Sequence, residues 1–419
     1  MDFSPEEYTE EQEEFAKEVR EWLDENVPKD LFVRPWDTRT MSREQWQLRR
    51  EFGRKLGQKG WLYATAPREY GGGGLDADHA AIITRELAAR SLSAPPYYDS
   101  NGLALPAILA LGTEEQKRRF LPLIYRGDAL SWQLFTEPEA GTDEANQQTN
   151  ALRHVRDKEY FIVNGQKIFV GAHYGPPERL LLLTRSDLEA PRHENLAMFY
   201  APADLPGISI TPLDLFPSGN IGQIGSGPGH KNQVFLDDVR IHEDYLIGGE
   251  RDGWRATNAT LAAEHGDRPA TAGAGRSRGG RPMPRHPLTD KFLDQCKNNP
   301  NVARRLRENP QLLDSVVNVY IGAEIERLWG LRNAGLAGSG RRIPGVGPQL
   351  TLYAKIFGQR LIADMAKVLG PYALTTDEEW ELEEGLFEVA QRNALCISPG
   401  GTPEALKIVI ERAMRIGRP

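Results

Sequence analysis

The hydrophobic period of this chain changes twice along its length, and that change limits what it can fold into. Up to about residue 130 apolar side chains recur at helical spacing; from 131 to about 245 the period drops to two, in short runs broken by Pro, Gly and Asp; beyond 246 helical spacing returns. This order predicts an α+β chain with a 1–130 all-α domain, a 131–245 β domain and a 246–419 α-helical domain. With 419 residues, each has enough chain to bury a core.

Ser4-Pro5-Glu6-Glu7 has capping-box spacing with Pro at the first helical position, and Phe15, Val19, Trp22 and Leu23 then fall on one face, predicting a helix over about 5–26. Ser42 and Gln45 open a second helix carrying Trp46, Phe52 and Leu56, which Gly60 ends. Gly71 to Gly74 have no strand before them and no Lys-Ser/Thr after them, so they read as a flexible connection between helices rather than a phosphate loop. Helical patterns resume over 80–89 and 104–111, and Thr113-Glu114-Glu115-Gln116 caps a short helix before Leu121-Pro122.

In the β segment, runs at 180–183, 197–200, 208–210 and 233–236 suggest a barrel or sandwich. Asn164-Gly165 splits two runs rich in β-branched and aromatic residues and predicts a hairpin. Asp237-Asp238 reads as a β-bulge or turn pair. Upstream, Phe135-Thr136-Glu137-Pro138-Glu139-Ala140-Gly141-Thr142-Asp143 sets hydroxyls around a Pro and a Gly, where backbone N–H groups and side-chain oxygens can converge on an extended polar ligand; a plain polar turn capping a sheet is the other reading.

The C-terminal segment opens with a helical stretch after Gly253-Trp254 that ends in Glu264-His265-Gly266. Arg268, Arg276, Arg278, Arg281 and Arg285 follow among Gly, Pro and Ser, predicting a mobile basic loop that either meets phosphate groups or is simply solvated. Helical spacing returns over 312–331, 350–369 and 379–394, and Thr402-Pro403-Glu404 starts a last helix with Leu406, Val409, Ile410 and Ala413 inward. The net charge of −8 argues against nucleic acid or anionic membrane as partner. No apolar run approaches ~18 residues and the N-terminus is acidic, so no membrane insertion and a cytoplasmic location are expected. Cys296 and Cys396 lack paired spacing, which predicts two buried thiols and no metal site.

Phe-Thr-Glu-Pro-x-Ala-Gly-Thr-Asp followed by Asn-Gly-x-Lys-Ile-Phe resembles the flavin-binding segment of the acyl-CoA dehydrogenases, and Phe235-Leu236-Asp237-Asp238-Val239-Arg240-Ile241 is similar to that family's last strand before its C-terminal helices. The resemblance implies the three-domain acyl-CoA dehydrogenase fold: an N-terminal helical domain, a central β-barrel or sandwich and a C-terminal helical bundle. It also implies FAD, oxidation of an acyl-CoA to the 2-enoyl-CoA, an electron-transfer flavoprotein as acceptor, and a homodimer or homotetramer. Residue by residue, it makes Phe135 and Thr136 neighbours of the isoalloxazine ring, Gly141 a cofactor-binding residue and Thr142 a pyrophosphate-side contact, and lays Phe169 against the flavin. It brings Gly370 to the cofactor across a subunit interface, and Thr402 and Glu404 to it from the last helix.

Much of the family carries its catalytic Glu just before the Gly-Thr of that helix, where this chain has Gly400; in other branches the Glu lies on the first C-terminal helix, where this chain has Glu264. The resemblance therefore makes Glu264 the base. Ala256, Leu261, Ala262 and Ala263 around it suggest an apolar face that raises its pKa. Gly400 keeps a backbone N–H able to polarise the thioester carbonyl. Two departures stand out: Gly171 lies where a Ser or Thr hydroxyl commonly bonds the flavin, and the family's Arg-x-x-Phe-Gly segment has no counterpart between 266 and 345. The alternative reading is a non-catalytic or half-site subunit of a hetero-oligomer.

Overall fold

Three of the N-terminal helices begin with the same local device. The computed structural model describes residues 8–29, 31, 42–90, 92, 101–171, 176–214, 230–264, 287–338, 343–394 and 401–416. Its first helices are α1 (Glu10–Asn26), α2 (Arg43–Gln58), α3 (Ala77–Ala89), α4 (Asn101–Leu111) and α5 (Glu114–Tyr125). Thr9, Ser42 and Thr113 cap α1, α2 and α5, each in a capping box with the Gln three residues on. Thr9 thus replaces the expected cap at Ser4, which lies outside the described residues: Thr9-x-x-Gln12 offers the same reciprocal bonds next to the face that buries Ala16, Val19 and Leu23.

Helix α5 also runs through Pro122 to Tyr125 instead of stopping before it. The glycine run is not a flexible link: a Cβ on Gly73 would sit 2.1 Å from the Gly60 carbonyl, so glycine here permits two backbone segments to cross.

The β segment forms a single sheet from β1 (Ser131–Leu134), β2 (Asn150–Arg153), β3 (Tyr160–Val170), β4 (Arg179–Arg185), β5 (Leu196–Pro202), β6 (Ile208–Asp214) and β7 (His230–His242). The strand order is β1-β4-β2-β3-β7-β6, with β5 along the other edge of β4. Leu181, Leu183, Met198 and Tyr200 face the N-terminal helices, while Leu180, Leu182 and Phe199 join Trp132, Phe161 and Val239 in a second core. Both faces of β4 and β5 are therefore buried, which is why these strands read as continuous apolar runs rather than alternating ones.

The hairpin expected at Asn164-Gly165 does not form. β3 passes straight through it, with β2 on one edge and β7 on the other. Gly165 has φ +147°, and a Cβ there would meet the Thr149 hydroxyl at 2.5 Å, so this glycine serves a close approach rather than a turn. Opposite Asn164 the partner strand carries one extra residue, the bulge expected of Asp237-Asp238. Asp238 has φ +47°, and Asn164 holds it by donating from Nδ2 to the carboxylate at 3.0 Å and accepting its N–H at 2.8 Å.

α6 (Gly253–Glu264) leaves the sheet and packs on α4 and β5. A third core is built by α7 (Pro287–Asn298), α8 (Pro300–Glu308), α9 (Leu312–Gly338), α10 (Val346–Leu369), α11 (Leu386–Asn393) and α12 (Pro403–Met414). α7 and α8 had no sequence expectation. α11 is shorter than the 379–394 pattern because Glu383, Glu384 and Gly385 all take positive φ and break the helix. Cys296 is partly buried against this core, and Cys396 lies outside the described residues, as does the Arg-rich stretch of 268–285. Among the described residues no helix is long and apolar enough to cross a membrane.

Candidate functional site

The stretch that resembles a flavin-binding segment is an excursion from the edge of β4 that β1 and β2 share. β1 lies along β4 as far as Leu182, and β2 rejoins the same edge at Arg185. Residues 135–149 leave and return across this gap. A loop of that length leaves a break in the pairing along β4 and has to close its own base, and it does so with buried charge.

Lys167, on β3, is wholly buried, and its Nζ donates to Glu137 Oε1 at 2.7 Å, to the Leu183 carbonyl at 2.7 Å, to the Phe135 carbonyl at 3.2 Å and to Gln147 Oε1. Leu183 lies in the gap between the β1 and β2 pairings, so the ammonium satisfies a β4 carbonyl at the point where the loop departs. The Glu137 carboxylate in turn accepts the N–H groups of Gln148 at 2.6 Å and Thr149 at 3.1 Å, while Gln147 Nε2 donates to the Phe135 carbonyl at 3.1 Å. Complete burial pushes the Lys167 pKa down and Glu137 opposes it; four acceptors around one Nζ identify the charged form. Sequence reading gave these residues no role. The available signal was parity: Lys167 shares the inward face of β3 with Phe161 and Val163, where a lysine needs a carboxylate partner.

Five of the residues expected at a flavin lie on this loop or on the adjoining β3. Phe135 is buried at the end of β1, and Thr136 is half-buried with its carbonyl accepting the Ile168 N–H at 2.9 Å. Glu137 and Ala140 pair across a tight turn, beyond which Gly141 and Thr142 are exposed; nothing lies within 4 Å of where a Gly141 Cβ would be. Next to Thr136, β3 bulges between Lys167 and Val170, and on that bulge Phe169 takes φ +58° with its side chain 53% exposed. A bulky residue in left-handed backbone, its ring turned to solvent, is a strained arrangement of the kind that concentrates at ligand sites.

The structure thus carries Phe135, Thr136, Gly141 and Thr142 on one loop, and the bond from the Ile168 N–H to the Thr136 carbonyl ties the Phe169 bulge to it. Gly370, Thr402 and Glu404 lie instead in the C-terminal bundle, and no hydrogen bond or ion pair among the described residues joins them to the turn. Gly370 ends α10 at φ +64° beside the Arg305 guanidinium. The Thr402 hydroxyl caps α12 by accepting the Ala405 N–H at 3.1 Å, and Glu404 is exposed beside Lys407. Gly400 lies outside the described residues. Glu264 is the last residue of α6, and the described side chains of that helix end at Ala262. Ala256, Thr257 and Thr260 are buried, Leu261 is half-buried and Ala262 exposed.

The missing hydroxyl at Gly171 has a packing cause. Its φ is +66°, and a Cβ would sit 2.2 Å from Cδ2 of the buried Trp132 indole.

The description "acyl-CoA dehydrogenase, N-terminal domain" matches residues 9–128, and "acyl-CoA dehydrogenase, middle domain" matches residues 133–220. The chain is 32% identical over 256 residues to acyl-CoA dehydrogenase IpdE1 of Mycobacterium tuberculosis, a match covering 61% of this chain and 63% of that relative, so it spans less than two thirds of the relative's length. It is 29% identical over 419 residues to acyl-CoA dehydrogenase FadE26 of the same organism, covering 96% of each. The ChsE4-ChsE5 complex from Mycobacterium tuberculosis superimposes with a TM-score of 0.75 at 26% identity, over 99% of this chain and 98% of that one. The chain belongs to the acyl-CoA dehydrogenase family and has its fold.

Proposed function

We propose that this chain is an FAD-dependent acyl-CoA dehydrogenase that oxidises an acyl-CoA thioester to the 2-enoyl-CoA. The observation that carries the reading is Phe169: an exposed aromatic ring on a strained bulge, next to a turn that presents Thr136, Gly141 and Thr142. These residues fit a flavin dinucleotide, since the ring offers an apolar face to an isoalloxazine and the open space at Gly141 admits a close backbone approach by phosphate. Bound FAD supplies the hydride acceptor.

The chain's own part is proton removal and positioning. Glu264 takes the proton from the carbon next to the thioester, and the Gly400 N–H holds the thioester carbonyl oxygen as negative charge develops on it. Electrons leave to an electron-transfer flavoprotein. α6 is anchored for this by the Thr260 hydroxyl, which donates to the Leu103 carbonyl at 3.1 Å. The test is the visible spectrum of the purified protein before and after anaerobic addition of a panel of acyl-CoAs. A flavin band that one of them bleaches supports the reading, and Glu264→Gln should keep the band and lose the bleaching. A Gln variant that bleaches as fast as the parent moves the base elsewhere.

A second reading has one observation behind it. Leu313, Val317, Ile321, Ile325 and Leu328 form a ridge along α9 and are each between 37% and 52% exposed. A ridge at this spacing suits packing against another helix. It supports an oligomer, either of identical chains or with a second, different subunit that completes the site; the ChsE4-ChsE5 structure is a complex. Flavin retained by the protein expressed alone favours the first, and flavin bound only on co-expression favours the second.

A further inference from the structure

The geometry points to Lys167 and Glu137 as the positioning residues of the flavin face: one buried ion pair sets both the 135–149 excursion and the Phe169 bulge before any ligand arrives. This rests on the flavin reading above and extends it to residues that touch neither cofactor nor substrate. Three features of the site converge on the Lys167 ammonium.

The loop starts at Phe135, whose carbonyl it binds, and ends at Gln147 to Thr149, which it reaches directly at Gln147 Oε1 and through Glu137 at the N–H groups of Gln148 and Thr149. Its fourth tie, to the Leu183 carbonyl, fixes the loop base to β4. The bulge that carries Phe169 begins at the residue after Lys167 and is tied to the turn by the Ile168 N–H and the Thr136 carbonyl. If the ammonium is removed, the loop base, the turn and the bulge lose their shared anchor. The β4–β5 ladder beside them keeps its seven pairs.

A loop held this way gives up its freedom on folding, so a ligand that needs its bound shape does not have to order it. The ion pair is then not required for the fold as such. A pair of buried charges is replaceable by neutral groups at small cost to stability, whereas removing one partner strands the other. Stability and ligand affinity should therefore respond differently to single and paired substitutions.

The experiment compares the parent with Lys167→Met, Glu137→Gln and the double variant, by amide hydrogen exchange, urea unfolding and FAD titration of the apo-protein. In the ligand-free parent, the amides of Gln148, Thr149 and Ile168 should be protected like those of β4. In Lys167→Met they should exchange at least ten times faster, with β4 and β5 amides unchanged. The double variant should recover most of the unfolding midpoint lost by Lys167→Met, while its FAD dissociation constant stays at least ten-fold above the parent's and its bound-flavin band is shifted.

If FAD affinity and band position return together with stability, the pair is only structural and the inference fails. It also fails if the three amides exchange freely in the parent. Gln147→Leu, which keeps the ion pair but removes one acceptor and the donor to Phe135, covers the case in which Lys167→Met does not fold. It should weaken FAD several-fold while the midpoint falls less than in Glu137→Gln, and an unchanged affinity overturns the inference. A parent that takes up no FAD overturns the flavin reading as well, and that result is read from the parent alone.

Discussion

Gly171→Ala is the sharpest test of how the site is packed. The methyl group would lie 2.2 Å from Cδ2, 2.3 Å from Cε2 and 2.7 Å from Cγ of Trp132, well inside contact distance. Trp132 is fully buried in one core with Leu134, Ala151 and Leu180, so its ring yields only by displacing packed side chains. Forcing a methylene-sized group into such a core costs about 1–3 kcal/mol. An L-residue at φ +66° adds about 1–2 kcal/mol. The expected loss is therefore about 2–5 kcal/mol in urea unfolding.

Gly141→Ala is the control: it has ordinary backbone and open space around it, and should stay within about 0.5 kcal/mol of the parent. Trp132→Leu makes room, so the cost of Gly171→Ala measured in that background should fall to roughly the backbone part, about 1–2 kcal/mol. The packing argument is refuted if Gly171→Ala lies within about 1 kcal/mol of the parent, or if the two substitutions add without coupling.

Three further outcomes are expected. Asp252 accepts the Gly249 N–H at 2.8 Å and pairs with Arg255 at 2.7 Å, and these bonds hold its carboxyl below the usual range. A depressed folded value gives stability that is present above the unfolded pKa of about 4 and lost as pH falls through the folded one, so Asp252→Ala should narrow the gap between urea midpoints at pH 7 and pH 3. Burial raises the Cys296 thiol to about 11. In a Cys396→Ser background at pH 8 it should react with a soluble disulfide reagent at least ~100-fold more slowly than in urea. Ile321→Glu, in the exposed ridge of α9, should lower the mass seen by light scattering, and a parent that is already monomeric would remove the oligomer reading.

What could be read from the sequence was what local chemistry decides. The caps at Ser42, Thr113 and Thr402 each need only a hydroxyl and an N–H three residues on, and all three are present as read. Asn164-Gly165 misled because the hairpin signal is equally local, while the outcome was set by β2 and β7, which give β3 a partner on both edges and leave its two halves no reason to fold together. Gly171 was visible as a departure, but its cause is the Trp132 ring brought beside it by sheet pairing. The same holds at the centre of the site. Thr136 and Thr142 drew attention because hydroxyls near a Pro and a Gly look like ligand chemistry, yet Thr142 is exposed and Thr136 only half-buried. The residues that hold the turn in place are Glu137 and Lys167: strand parity marks Lys167 as inward, but the gap in the β4 edge that the pair closes exists only once the sheet is formed.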